Sequence, residues 1–457
     1  MSRTNTDNSQ PKQPGPVIIP RDSHPISRRA ISPGALKVLY RLKDAGYQAF
    51  LVGGAVRDLL LGRQPKDFDV VTNAHPEQVR ELFRSCRLIG RRFHLAHVRV
   101  GQEIIEVATF RASHTVVDED NSVDEDGRRV LDNHGRILRD NLYGTIDEDI
   151  WRRDFTANAL YYNIEDYSIW DYADGVADAQ QRVLKLIGDP ETRYREDPVR
   201  MLRAVRFAAK LDFSIEADTA EPIGRLAFML DSVPAARLFD EVNKLFLAGS
   251  GLQSFKLLRE FGLLEHLFAD LQEVLKSGDE AALHLVEQGL ANTDARVRED
   301  KSVTPAFLFA VLLWPAVRQQ SMKHHRVQSG DGQLDFGAIQ ETFDIVCSRT
   351  VRRVAVPKRF SMTTREVLAL QSRFEYRSGR RSLRLLDHPR FRAAYDFLLL
   401  RAAAGEVPQE IANWWTELQS MSNEQRIATV EGLVADVKSE AAPARKRRRR
   451  SRRKRVV

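Results

Sequence analysis

LVGGAVRDLLLG at residues 51–62, with KDFDVV at 66–71 just beyond it, is the stretch whose reading decides the fold. Residues 48–52 read as a short strand running into Gly53 and Gly54, and residues 55–61 as the helix that follows. Residues 66–71 alternate polar and apolar, the pattern of a second strand, so Asp67 and Asp69 project from one face while Phe68 and Val70 point into the core. An isolated D-x-D is often no more than two solvated acids on an exposed strand. Here a strand, a Gly-Gly turn and a helix precede it. Bare backbone N–H groups at such a turn, with the positive end of the helix dipole behind them, can hold a phosphate chain. Two carboxylates that close repel each other and are usually held by a divalent cation; Mg²⁺, with few protein ligands and open positions for phosphate oxygens, suits them. Together these supply both halves of a nucleoside triphosphate site, a phosphate cradle at Gly53 and Gly54 and a two-metal clamp.

Working outward, residues 33–46 have helical spacing, and residues 97–100 with 103–110 read as a hairpin turning at Gly101 and Gln102. Strand signals end near Trp170. Beyond about Asp178 nearly every periodic segment is helical: 197–211, 235–247, 254–261, 281–289, 305–313, 363–374 and 390–404. The expectation is an α+β head followed by an all-α C-terminal half. A flexible arm is expected over 1–32, the head over 33–175, a helical neck with the base-recognition motif over 176–260, an RNA-binding helical body over 261–440 and a disordered basic tail over 441–457. Residues 113–140, polar and acid-rich, are too long for a tight turn and are expected to form a mobile insertion in the head.

Composition narrows the class. With 43% hydrophobic and 29% charged residues, the chain is an ordinary globular protein rather than a disordered, fibrous or membrane one. Its net charge of +7 resides in the tail: Arg445, Lys446, Arg447, Arg448, Arg449 and Arg450, with the cations after Ser451, contribute ten, which leaves −3 for the rest. Cys86 and Cys347 are too few and too far apart for a disulfide scaffold or a Cys-based zinc site. No apolar run is long enough to span a membrane and no apolar leader opens the chain, so a cytoplasmic location is expected. His94, His97 and His114 lack metal-ligand spacing and read as surface or strand residues.

Two further runs, RRDFTANALYYN at 152–163 and GDPETRYREDPVRMLRAVRFAAKL at 188–211, complete a pattern. In order with the opening stretch, they closely resemble the class II nucleotidyltransferases of the DNA polymerase β superfamily, which comprise the tRNA CCA-adding enzymes and the bacterial poly(A) polymerases. The resemblance covers roughly residues 33–260; beyond that it rests on helical character alone. It implies a polymerase β-like head in which Asp67 and Asp69 are ligands of catalytic Mg²⁺ and a further acid completes the site. Glu106, on a strand where Ile105 and Val107 face away from it, and Asp154 in RRDF are the two candidates for that acid. Each also has a plain reading, Glu106 as a solvated strand carboxylate and Asp154 as an N-cap of a helix over 155–160. The RRDF motif is associated in the family with the ribose, and Arg57, Arg152, Arg153 and Arg203 are the nucleotide-binding cations the resemblance suggests.

EDPVRMLRAVRF reads from first principles too. Pro198 suits a first helical turn with Asp197 as N-cap. Arg200, Arg203 and Phe207 then share one side, while Met201, Leu202, Val205 and Ala208 line the other. An Asp accepts from an exocyclic amine and an Arg donates to a ring nitrogen, so Asp197 with Arg200 would admit adenine and cytosine and reject uracil and guanine. The resemblance assigns this motif that templating role; the plain alternative is a surface ion pair.

Base-edge logic does not separate ATP-only addition from CCA synthesis. LIGRRFHLAHV at 88–98 resembles the strand segment of bacterial poly(A) polymerases, with Arg91 and Arg92 as candidate RNA contacts, and the tail reads as an RNA arm of the same kind. Both features favour a poly(A) polymerase, adding AMP from ATP to RNA 3′ ends, with a CCA-adding enzyme as the alternative. A non-catalytic RNA-binding protein is a second alternative, against which the intact Asp67 and Asp69 argue.

Overall fold

The computed structural model describes residues 15–90, 94–112, 130–131, 137–139, 143–328, 336–377 and 379–440. These fall into two compact units that divide between Val233 and Pro234. The first unit is built on an eight-stranded sheet of β1 (Val17–Ile19), β2 (Ala49–Val52), β3 (Asp69–Thr72), β4 (Cys86–Ile89), β5 (Leu95–Val100) and β6 (Glu103–Thr109) with two later strands. β7 (Val130–Leu131) and β8 (Ile137–Arg139) pair antiparallel apart from it. β9 (Leu160–Asn163) and β10 (Ile169–Asp171) complete the order β1-β10-β9-β2-β3-β6-β5-β4. Neighbours run antiparallel except β3 and β6, which are parallel. A parallel pair needs a crossover, and the chain between them supplies one.

α1 (Pro33–Asp44) starts with Pro33 after Ser32, whose Oγ accepts from the Ala35 amide at 3.1 Å. Its Ala35, Val38, Leu39 and Leu42 bury against Leu51, Val70, Ile105 and Val107 on one face of the sheet. Phe50, Val52, Val71, Phe110, Ile150 and Tyr161 form a second core on the other. With both faces covered, β2 is buried along its whole length, which explains its unbroken apolar run. α2 (Gly54–Leu60) leaves β2 at the Gly-Gly turn, and α3 (Pro76–Leu82) lies on the crossover.

Three sequence expectations need correction. Residues 17–31 do not belong to a flexible arm: β1 pairs with β10 at the sheet edge, and Ile26 and Ile31 are buried in the first core. Three strand residues and two isolated apolar anchors leave no periodicity to read. β3 begins at Asp69, where its pairing with both neighbours begins, so Asp67 lies in the entering loop rather than on the strand. Strand also reappears after Trp170, as Val183–Leu184 pairs in parallel with Ser214–Ile215. Of the expected insertion at 113–140, only β7 and β8 lie among the described residues.

The second unit is helical, from Ala235–Phe246 to Asn423–Glu440. Helix Pro305–Gln328 carries the apolar run expected at 305–313 and is buried on all sides from Leu308 to Leu313. Gly289 lets its neighbour Glu280–Arg298 come close, since a Cβ there would stand 2.7 Å from Val311. Among the described residues no helix is long and apolar enough to cross a membrane.

Candidate active site

The Gly53–Gly54 turn and Asp69 meet where β2 ends and β3 begins, at one end of the central strands. Val52, the last residue of β2, lies in register with Asp69 on one side and Tyr161 on the other. Gly53 takes φ 75° and ψ −133°, a conformation that disfavours any side chain. Its N–H, expected to face a phosphate, instead donates to the Leu160 carbonyl at 3.1 Å, and its carbonyl accepts the first helical bond from Arg57 at 3.2 Å. The cradle is therefore fixed to the sheet on one side and to α2 on the other.

Across the parallel pair, Asp69 stands in register with Glu106. Phe68, Val70, Ile105 and Val107 are buried beneath, so the intervening carboxylates face outward. Enclosure by the surrounding protein raises the Asp69 pKa to about 6, with the negative charges of Glu106 and then Asp67 adding to it and Arg153 opposing. Glu106 also bonds through Oε1 to His97 Nε2 at 3.1 Å, from the facing position on β5. No three acidic, histidine or cysteine side chains converge as a closed metal site among the described residues. Mg²⁺ does not require one, since one or two carboxylates with water and phosphate oxygens complete its octahedron. An open end of hard oxygen donors, where burial first and then the charges of Glu106 and Asp67 raise the pKa of Asp69, fits such an ion.

One fixed cation faces this end. Arg153 donates from Nε to the Tyr161 hydroxyl at 2.8 Å and from Nη2 to Asp149 Oδ2 at 2.9 Å, and its guanidinium lies 4.9 Å from the Tyr161 ring centre. Burial works against its charge, but Tyr161 and Asp149 more than offset this, so its pKa is raised. Its Nη1 lies 4.0 Å from where a Cβ on Gly53 would stand.

The other candidates divide. Arg57 turns inward: it is buried, donating from Nε and Nη2 to Asp58 Oδ1 at 2.9 and 2.7 Å and from Nη1 to Asn158. It supports the turn from behind. Arg152 Nη1 donates to the Ala112 carbonyl at 2.7 Å. No helix spans 155–160, so Asp154 is not its cap; a single turn, Thr156–Asn158, leads directly into β9. Asp154 is instead engaged by Arg203, whose Nε donates to Oδ2 at 2.6 Å, and by the Phe155 amide at 3.0 Å. Burial alone would raise the Asp154 pKa, but Arg203 outweighs it and the net shift is downward.

Helix Val199–Leu211 starts two residues later than expected, with Pro198 as its cap. Asp197 Oδ1 accepts from the Val199 amide at 3.2 Å. Arg200 pairs with Glu196, not Asp197: Nη1 donates to Glu196 Oε2 at 2.9 Å and to the Arg193 carbonyl at 2.8 Å. Its Nε and Nη2 bond to no protein group among the described residues. Arg91, Arg92 and Arg445 to Arg450 lie outside the described residues. Sequence reasoning missed Asp149, Tyr161, His97 and Glu196. Asp149 and Glu196, each four residues before the arginine it holds, carried a readable signal in that spacing.

Comparison with known proteins defines the class as that of the nucleotidyltransferases. Residues 49–185 match the Poly A polymerase head domain, 212–275 the probable RNA and SrmB-binding site of polymerase A, and 331–455 the polymerase A arginine-rich C-terminus. Poly(A) polymerase I of Salmonella typhimurium is 48% identical over 96% of this chain and 92% of its own. A CCA-adding enzyme of Lactobacillus helveticus is 36% identical over 53% of this chain and 57% of its own. The crystal structure of the Bacillus stearothermophilus CCA-adding enzyme in complex with CTP shares the fold, with a TM-score of 0.56 at 24% identity and 90% of each chain covered. The chain belongs to the poly(A) polymerase I family, and CCA-adding enzymes are its more distant relatives.

Proposed function

We propose that this nucleotidyltransferase adds AMP from ATP, without a template, to RNA 3′ ends. The observation that carries the reading is the acidic end of Asp69, Glu106 and Asp67 beside the Gly53–Gly54 turn. The triphosphate lies on that turn with Arg153 against it. The 3′-hydroxyl oxygen attacks the α-phosphorus in line; the new P–O bond forms as the α–β bridging bond breaks, pyrophosphate leaves and the hydroxyl proton passes to water. Asp67 and Asp69 would hold Mg²⁺, whose chemistry when bound would be to lower the pKa of the attacking hydroxyl and to neutralise charge on the leaving oxygens. Glu106 is the third acid, because Asp154 is spent on Arg203. Arg203 and Asp154 together fix the neck helix beneath the nucleotide, and Arg152 secures the adjoining segment. Arg200, through its unengaged Nε and Nη2, and Asp197 read the base.

RNA reaches this site with the help of the 212–275 segment, Arg91, Arg92 and the tail cations Arg445 to Arg450. Kinship along the whole chain with poly(A) polymerases supports long adenylate tails over a three-nucleotide product, and the reaction is cytoplasmic. The test is to incubate the protein with each NTP separately, on a tRNA lacking its CCA end and on an unrelated oligo(A)-ended RNA, and to size the products. Long extension of both RNAs with ATP alone is expected. Extension limited to the tRNA, needing CTP and stopping after three nucleotides, would establish the CCA-adding alternative.

A further inference from the structure

A cavity of about 420 Å³ in the helical unit is lined by Phe336, Arg373, Tyr376, Arg381, Arg384 and Leu385, with Ser372. Its size suits one small ligand. Tyr376 is 55% exposed, unusual for a ring that is not on a loose loop. Its backbone is pinned: Ser382 Oγ donates to its carbonyl at 3.0 Å, and the preceding Phe374 carbonyl accepts from Trp415 Nε1 at 2.9 Å. Phe374 is itself buried against Phe391 and Trp415. The Arg373 guanidinium lies 4.4 Å from the Phe336 ring centre. None of Arg373, Arg381 and Arg384 has a carboxylate partner among the described residues; Glu375, two residues from Arg373, is partly buried beside Arg401, and Asp387, three residues from Arg384, caps the helix end without pairing with it. A rigid exposed ring among unneutralised arginines is the chemistry that takes a base on its π-face and a phosphate beside it.

We propose that this cavity is a subsite for one nucleotide of single-stranded RNA, the base stacked on Tyr376 and its phosphates held by Arg381 and Arg384. The inference rests on the reading of RNA as substrate and deepens it, giving the helical body expected to bind RNA one specific contact. No base-edge readout is built here, so the subsite grips without sequence preference.

The test measures binding of a labelled, 3′-deoxy-ended oligoadenylate to the full chain by fluorescence anisotropy, with no ATP present, so that binding is scored apart from turnover. Tyr376→Ala should weaken binding by about 5- to 150-fold, while Tyr376→Phe, which keeps the ring, binds like the parent. Arg381→Ala with Arg384→Ala should flatten the log–log salt slope by about 1.4, at roughly 0.7 per phosphate. Affinity for free ATP should not change. Wild-type oligoadenylate binding by Tyr376→Ala and by the double arginine variant overturns the subsite even in a protein that adenylates RNA. Loss of ATP affinity with RNA binding intact overturns it in favour of a free-nucleotide site, and equal losses for Tyr376→Phe and Tyr376→Ala overturn stacking. A protein that passes these tests yet fails to adenylate would sink the functional reading and leave this one standing.

Discussion

Each unit holds an arginine between a carboxylate and an aromatic ring, and the two are used differently. In the first, Arg153 is held by Asp149 and Tyr161 and still faces an open acidic end, where it lowers the pKa of Asp69 against Glu106 and Asp67. In the second, Arg401 is enclosed. It donates to Glu406 Oε2 at 3.2 Å, its guanidinium lies 4.7 Å from the Trp314 ring centre, Trp314 Nε1 donates to the same Glu406 oxygen at 2.8 Å, and Arg318 stands 3.3 Å from the other. The first network leaves a cation aimed at ligand space. The second spends every charge on its own helices. A buried ion pair is by itself no sign of function; what separates the two is whether a charge remains turned toward an unfilled site.

The sharpest way to break this comparison is to remove the enclosed carboxylate. Glu406→Gln leaves the buried Arg401 without its paired carboxylate, while Arg318 keeps Asp279, and should cost about 3–5 kcal/mol of stability in denaturant unfolding, with adenylation by the folded protein unchanged. A rate loss without destabilisation would place chemistry in the helical unit. Next, Glu106→Ala should lower the single-turnover rate by about two orders of magnitude, ~2.7 kcal/mol, with melting unchanged. An unaffected rate would return Asp154 to candidacy as the third acid.

Smaller effects sharpen the first network. Arg200→Ala should relax discrimination of ATP from UTP and GTP by ~1–3 kcal/mol, read as the ratio of kcat/KM values. A uniform rate loss with selectivity intact would make Arg200 a partner of Glu196 and nothing more. In metal-free protein the Asp69 carboxyl should titrate near pH 6 by carbon-13 NMR, and lower in Glu106→Gln. Because the folded-state pKa lies above the ordinary carboxylate value, the protonated form is the one folding favours. This contribution to stability is full below about pH 4 and is lost as the pH rises through 6. A titration near 4 in both proteins would show that the two acids do not interact.

The two networks also differ in how far the sequence exposes them. The strand-to-helix turn at Gly53–Gly54, the outward Asp69 between buried Phe68 and Val70, and the helical second half are local patterns, and local patterns were legible. The partnership of Asp69 with Glu106 was not, because it depends on a parallel pairing closed by a long crossover, so Glu106 and Asp154 looked equivalent. Arg57 was a nucleotide-binding candidate by resemblance, and its inward bond to Asn158, far along the chain, gave no signal in the sequence. Arg401 and Glu406 gave no signal at all; five residues apart, they match neither helical pair spacing, and Trp314 joins them only in the fold. Residues 17–31 were misread for the same reason, since their burial is supplied by a distant strand.

The account stands most directly on the acidic end of β3 beside β6 as the reaction centre. Asp69→Ala, assayed in a single turnover at saturating RNA and ATP, should lose about three orders of magnitude in rate, ~4 kcal/mol, while RNA affinity and melting temperature stay at the parent values. Near-normal extension by Asp69→Ala would contradict it.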